Sequence, residues 1–593
     1  MKNLFITSLA LALAACSAPT SSDDSAAEPL AANVLEGAWN ETQTQALLDK
    51  TMRLRFPYQD SGLTSNEQAA VKELLSAGAR LHSLYLEQRH PQGRAAEMAL
   101  ATMKTREDLK EVFRIMKGPI ATTLENKRDP FLNVSAPTDT GNVYPIGTDR
   151  ETMDAFLAAN PDLKNDILHL RAVVKSANEA EKTAALATLK AYPALDVLHP
   201  GLRAKIETAE GYFSLPYSVE YAEDIFFIYD RLNAAAKHIE GEDIAFARFL
   251  KARARDILAD DYDGGDAAWI TGDFKGNLNA QIGSYETYDD ALYGVKSYFS
   301  LSLLQRDKVK SDELAASIGD IQAIEDALPY KAQKQVRSNI PVGVYSIISD
   351  FGQARGTNTA TILPNEGHLS RQYGRTILIR STVLTNERIF EEALTSFKAA
   401  VLDKHHDDLV LEGNFYRTLW HEIGHYLGPD QTKTGGDIDG ALQDSADLLE
   451  EMKSDLVSLF SAEKLNASGA FSDQQFRAIY AAGILRVLQK NRPRRSQAYG
   501  TMQLIQWNWF MDKGLLSFED GKLEIHYQHY SKAVSSLLTE VLDLQYQGDR
   551  DTANAFIDKW TSWDEDMHGV IAAAMKDAEG ARYRYVTYEA LGE

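Results

Sequence analysis

The stretch Thr418-Leu419-Trp420-His421-Glu422-Ile423-Gly424-His425-Tyr426-Leu427 contains the pattern H-E-x-x-H. On a helix a four-residue step sets His421 and His425 on one face, one turn apart. Two imidazoles at that spacing can share one zinc ion, and Glu422 beside them can take a proton from water activated there. Such a site needs a third ligand. A second stretch, Leu448-Leu449-Glu450-Glu451-Met452-Lys453-Ser454-Asp455-Leu456, can supply it. Glu451 and Asp455 stand one helical turn apart among apolar residues. One of these carboxylates can ligate metal while the other orients a ligating imidazole. The bland alternative is a pair of core histidines and solvated surface glutamates.

Both stretches call for helices, expected over 412–427 and 442–461, the first stopped by Gly428-Pro429. Helical periodicity also marks 387–402, 473–490, 498–514, 526–546 and 550–576. Earlier in the chain it marks 95–117, 150–176, 180–192, 218–238 and 243–259, with a capping box at Ser65-x-x-Gln68 and Gly78 on an apolar face. Between about 340 and 385 the texture changes. The stretches 342–349, 357–363 and 376–384 are β-branched and apolar, separated by Gly, Asn and Pro, and predict strands. The fold class expected is therefore α+β, predominantly helical, with a small sheet. Asp437-Ile438-Asp439-Gly440 lacks the later ligands of a calcium loop and reads as a surface turn.

The chain has 593 residues, 44% of them apolar, enough for more than one lobe. Its net charge of −23 argues against nucleic acid or an anionic membrane as a partner held by a general basic field. The basic cluster at 490–495 reads as a solvated helix end. At the start, Lys2 precedes an apolar run, 4–15, too short to span a bilayer. Leu13-Ala14-Ala15-Cys16 resembles a bacterial lipobox, which implies a signal peptide over 1–15 and lipidation of Cys16. Cys16 is the only cysteine, so no internal disulfide can form. Ser17, with no Asp after Cys16, implies the outer membrane by the lipoprotein-sorting rule. The location expected is thus the bacterial cell envelope, lipid-anchored and facing the periplasm. Residues 16–38, rich in Ser, Ala, Asp and Pro, read as a flexible tether to a unit over 39–593.

With both metal segments in place, the sequence resembles the dipeptidyl peptidase III family of zinc metallopeptidases. Glu450-Glu451-Met452-Lys453-Ser454-Asp455 is similar to that family's E-E-C-R-A-E segment, whose second Glu is the zinc ligand, hence Glu451. Gln281-Ile282-Gly283-Ser284-Tyr285-Glu286-Thr287-Tyr288-Asp289 resembles its Q-I-G-x-x-E-S-Y-R segment. There the Glu grips the substrate's amino terminus and the Tyr assists the tetrahedral intermediate, which implies those roles for Glu286 and Tyr288. Ala498-Tyr499-Gly500-Thr501-Met502-Gln503 stands where the family carries A-H-M-Q-A-R, and Asn365 falls near its substrate-binding asparagine. Two departures are visible. The first motif has five residues where the best-studied members have six, and Tyr499 and Gln503 replace a His and an Arg.

The resemblance implies two lobes around a cleft, a helical zinc-bearing lobe with the metal segment at about 387–515 and a mixed lobe with a small β core. It implies one Zn2+ per chain on His421, His425 and Glu451, with Asp455 behind His421 and Glu422 as general base. Glu286, Asn365, Tyr499 and Gln503 would bind a short peptide, from which dipeptides are released at the amino end. The rivals are a zinc hydrolase of another substrate class, a zinc endopeptidase, and a binding lipoprotein that keeps zinc for structure.

Overall fold

Apolar residues recurring every three or four positions fold as long helices, and a five-stranded sheet shares its two faces between the two cores they build. In the computed structural model the described residues are 34–317, 321–336, 342–354, 358–363, 372–374, 376–489 and 498–593. The leader, Cys16, most of the tether, Asn365 and the basic cluster at 490–495 lie outside them.

The first lobe opens with strand β1 (Thr51–Phe56) and helix α1 (Ser65–Arg89). Helix α1 starts one residue before the expected capping box. Thr64, in an extended conformation, accepts from Glu67 N at 3.1 Å, and the Glu67 carboxylate accepts from Thr64 N at 2.9 Å. Glu67 also accepts from Asn277 N at 2.7 Å, so the cap ties the helix to the strand that follows Asn277. Gly78 is required by packing: a Cβ there would lie 2.3 Å from the Phe351 ring. Helices α2 (Ala222–Ile239) and α3 (Ile244–Ala259) pack beside α1 and one another. The helix expected over 150–176 ends at Ala159, because Pro161 cannot continue it. Ala172–Ser176 instead forms a strand paired with Tyr212–Pro216, which buries Val173 and Val174.

The sheet has the order β2 (Leu278–Ser284), β3 (Phe299–Arg306), β4 (Val342–Gly352), β6 (Thr376–Arg380), β5 (Ala360–Leu363). Only β4 and β6 run parallel among its neighbours. The segment Gln281 to Ser284, singled out above as a motif, is the end of β2. The strand expected over 376–384 turns into the short helix Ser381–Leu384 after Arg380. Along β6, Ile377 and Ile379 belong to the second core and Leu378 to the first, the two-residue alternation of a sheet buried on both faces. In β4 a bulge opposite Leu303 and Leu304 adds one residue. Consecutive Ile347 and Ile348 therefore both reach the first core.

The second lobe is helical. Helix α5 (Ala446–Ala467) runs through its middle against α4 (Leu411–Gly424), α6 (Asp473–Leu488), α7 (Ala498–Asp512) and α8 (Tyr530–Gln547). Its buried positions lie all round the helix, as expected of a central helix. The helix expected over 550–576 is two, Arg550–Trp560 and Val570–Ala578, with a π-turn between. Asp437 caps a short helix, Ile438–Leu442, by accepting from Gly440 N at 2.8 Å. Finally β7 (Tyr583–Tyr588) pairs in parallel with β1, returning the chain end to the first lobe. No described helix is long and apolar enough to cross a membrane.

Candidate metal centre

Helix α4 carries His421 and Glu422 in its last turn, and His425 is its C-cap, still at helical dihedrals (φ −64°, ψ −17°). The two rings stand 5.0 Å apart between centroids and nearly perpendicular, at 88°. Glycine brings Glu451 near. A Cβ on Gly424 would lie 2.9 Å from Ser454 Cα, so its absence lets α4 and α5 approach until Glu451 faces both rings. The turn beyond His425 is pinned at Gly428, whose φ is +86° and whose N–H donates to Glu325 Oε2 at 2.9 Å. Glu325 belongs to the short helix Ile321–Ala327, so a segment between the sheet strands braces the end of α4.

Potential ligand atoms of His421, His425 and Glu451 all lie within 4.8 Å of one another. Among the described residues this group has three members. His421 Nδ1 lies 2.7 Å from Asp455 Oδ1, and His425 Nδ1 lies 2.9 Å from Glu450 Oε1. A carboxylate only accepts, so each ring presents an Nδ1 proton to the carboxylate behind it and turns Nε2 toward the shared centre. His421 Nε2 is 3.3 Å from Glu451 Oε2. That oxygen is shielded from water and has no hydrogen-bond partner among the described residues, whereas Glu451 Oε1 accepts from Tyr499 OH at 2.9 Å. A water-shielded carboxylate oxygen facing ring nitrogens calls for a cation between them, either the His421 proton or a bound ion, and two imidazole nitrogens with a carboxylate oxygen fit a divalent metal of nitrogen and oxygen preference.

The carboxylates behind the rings are themselves held. Arg417 Nη1 donates to Asp455 Oδ1 at 3.0 Å and Arg486 Nε to Oδ2 at 3.3 Å. Burial alone would raise the Asp455 carboxyl, but Arg486, His421 and Arg417 outweigh it and hold it far below the usual range. Lys453, only 2% exposed, donates to Glu450 Oε1 at 2.7 Å and to Leu427 O at 2.8 Å, and Gln545 Nε2 reaches Glu450 Oε2 at 3.0 Å. Glu450 is likewise held far below the usual range, since Lys453 and His425 overcome its burial. For His421 burial acts downward, yet Asp455 and Glu451 raise the metal-free imidazole to about 10.

Glu422 is half-buried beside His421 and has no hydrogen-bond partner among the described residues, leaving its carboxylate available as a base. On the first lobe, the loop after β2 carries Glu286 and Tyr288. Tyr288 is 81% exposed and lies beside Glu286. Although its ring is open to solvent, the surrounding protein, Glu286 and then the Glu451 and Asp447 charges push its phenol up to about 12. Burial pushes the Glu286 carboxyl up. This loop is tied by buried Asp290, which accepts from Leu292 N, Tyr293 N, Val295 N, Lys296 N and Tyr144 OH at 2.8–3.1 Å.

Of the expected site residues, the structure gathers His421, His425, Glu451, Asp455, Glu422 and Tyr499 and sets Tyr288 and Glu286 opposite. Asn365 lies outside the described residues. Gln503, expected at the substrate, is 2% exposed, and its amide oxygen has no partner among the described residues. Sequence reasoning missed Arg417, Glu450, Lys453 and Arg486. One signal was present: Arg417 stands one turn before His421, the same spacing that separates the two histidines.

The sequence matches no protein-family profile. It is 25% identical over 448 residues to Nudix hydrolase 3 of Arabidopsis thaliana, a match that takes in 74% of this chain and 55% of that protein. The chain thus spans about half the length of the curated relative. Two solved structures align along almost the whole chain. Dipeptidyl peptidase III from Caldithrix abyssi gives a TM-score of 0.76 at 21% identity, covering 93% of this chain and 99% of that one. Dipeptidyl-peptidase III from Corallococcus sp. strain EGB gives 0.72 at 22%, covering 94% and 98%. The fold is therefore that of dipeptidyl peptidase III, predominantly helical α+β in two lobes.

Proposed function

We propose that this chain is a zinc metallopeptidase that releases dipeptides from the amino end of short peptides. The observation that carries the proposal is the gathering of Glu451 with two carboxylate-oriented histidines, their potential ligand atoms all within 4.8 Å of one another and Glu451 Oε2 shielded from water. Its presence on a dipeptidyl peptidase III fold supports peptide hydrolysis as the reaction. His421, His425 and Glu451 would hold the zinc, which when bound would supply a Lewis acid for the scissile carbonyl and the attacking water. Glu422 takes the proton of that water and delivers it to the leaving amine. Tyr288 donates to the developing oxyanion, and a phenol pushed up to about 12 keeps that proton at neutral pH. Glu286, a half-buried carboxylate, pairs with the substrate's α-ammonium and fixes the distance from the chain end to the cut. Cys16, lipidated, would anchor this activity to the bacterial outer membrane on its periplasmic side.

Incubation with a mixed library of short peptides tests the reading. Dipeptides should appear from the amino terminus, and acetylating that terminus should abolish cleavage, because Glu286 is left partly desolvated without its partner. Internal cuts in acetylated peptides at comparable rates would make the protein an endopeptidase. No cleavage by the zinc-loaded protein would overturn the peptidase assignment.

A further inference from the structure

Glu451 offers two oxygens, and the structure treats them differently. Oε1 receives the hydroxyl of Tyr499 at 2.9 Å, while Oε2 has no hydrogen-bond partner among the described residues and lies 3.3 Å from His421 Nε2. Tyr499 sits in the first turn of α7, on a different helix from every metal-binding side chain. Its ring lies against the guanidinium of Arg486, 5.4 Å from the centroid. Arg486 in turn donates to Asp455 Oδ2 at 3.3 Å, and Asp455 Oδ1 orients His421. A closed circuit results, running from Tyr499 through Arg486, Asp455 and His421 to Glu451 and back.

We propose, resting on the zinc reading above, that Tyr499 is a positioning residue for the metal: its hydroxyl occupies Glu451 Oε1 so that Oε2 alone is presented to the ion. A donor on one oxygen lowers that oxygen's basicity and stops the carboxylate rotating. Glu451 is then held to one-oxygen ligation, which keeps a coordination position for water and substrate. Arg486 couples the two orienting arrangements, because the same side chain steadies the Tyr499 ring and the carboxylate behind His421. This gives Tyr499 a use different from direct contact with the peptide, and it accounts for a phenol at a half-exposed position: its hydroxyl is directed at a metal ligand rather than at solvent.

Chelator competition on the full chain and its Tyr499→Phe variant measures the effect. The phenylalanine keeps the ring against Arg486 and removes only the hydroxyl. Zinc should dissociate 10–100-fold more readily from the variant, with the melting temperature of the metal-free protein unchanged. Loading with cobalt supplies a readout that activity does not. The wild type should give the intense visible bands of a four-coordinate ion, and the variant the weaker bands of a five-coordinate ion as both Glu451 oxygens engage. Should the phenylalanine variant fold poorly, Tyr499→Gln and Tyr499→Leu make the same comparison, with glutamine expected to hold zinc more tightly because it retains a donor. Equal zinc affinity and identical cobalt spectra in wild type and Tyr499→Phe would overturn the inference and leave the zinc reading standing. A wild-type protein that takes up neither zinc nor cobalt would overturn both.

Discussion

Single side chains divide cleanly into those that would hold the metal and those that would use it. Glu451 presents a water-shielded oxygen to the two histidines, so Glu451→Ala should abolish stoichiometric zinc by metal analysis. Glu422 has no hydrogen-bond partner among the described residues, so Glu422→Gln should keep its zinc while hydrolysis falls by about 10^2–10^4-fold, the usual size of a general-base contribution. Loss of zinc in both variants would show that Glu422 is structural. Away from the centre, buried Asp260 accepts from Ser218 N at 2.9 Å, and His199 Nε2 lies 3.8 Å from it. Burial lifts its carboxyl to about 7, against roughly 3.9 when unfolded. Between those values the folded state binds the extra proton, so this group's contribution to stability falls as pH rises from about 4 to 7. Asp260→Asn keeps an acceptor and suits the left-handed φ of +52°. Its melting temperature relative to wild type should therefore climb with pH across that window. A constant difference would remove the linkage.

At the scale of elements, what brings the ligands together is the crossing of α4 and α5. Gly424→Ala would drive a methyl to 2.9 Å from Ser454 Cα and 3.0 Å from its carbonyl oxygen. Neither backbone can yield as a side chain would, so the helices must separate at a cost of about 1–3 kcal/mol. Because His421 and Glu451 ride on different helices, zinc affinity should fall together with thermal stability. A loss of stability with zinc affinity unchanged would mean that the crossing is set elsewhere. Elements also account for the differences between expectation and structure. The Thr64 cap prevails over Ser65 because Glu67, one turn on, can serve both the helix end and Asn277 N. The helix expected beyond Asn160 yields to Pro161 and then to a β-branched run with a partner strand, Tyr212–Pro216.

Over the whole molecule, the sheet places one set of apolar residues in each core, and β4 and β6 contribute to both. The loop after β2 can therefore set Glu286 and Tyr288 opposite a centre built on α4 and α5. The N-terminal segment adds an expectation on the same scale. Wild-type protein should incorporate labelled fatty acid and partition with membranes, and Cys16→Ala should do neither. Labelling that survives the substitution would exclude lipidation at Cys16.

Taken alone, the sequence determined the start of the helix carrying His421 and Glu422 to within a residue, but set its end at 427, whereas the helix stops at Gly424 with His425 as its cap. It also determined the turn between Glu451 and Asp455, because both depend only on the 3.6-residue repeat. Three of the five central strands were legible from their β-branched runs. Strands β2 and β3 were not, since β2 mixes Asn, Gln and Gly with apolar residues and becomes a strand through its neighbours. Tertiary structure alone decided which carboxylate faces the rings. It set Glu450 behind His425, put Lys453 and Arg486 behind the carboxylates, and turned Tyr499 toward Glu451 while burying Gln503. Those choices turn on distances between helices far apart in sequence. A local pattern can place a side chain on a face, but only packing decides what that face meets.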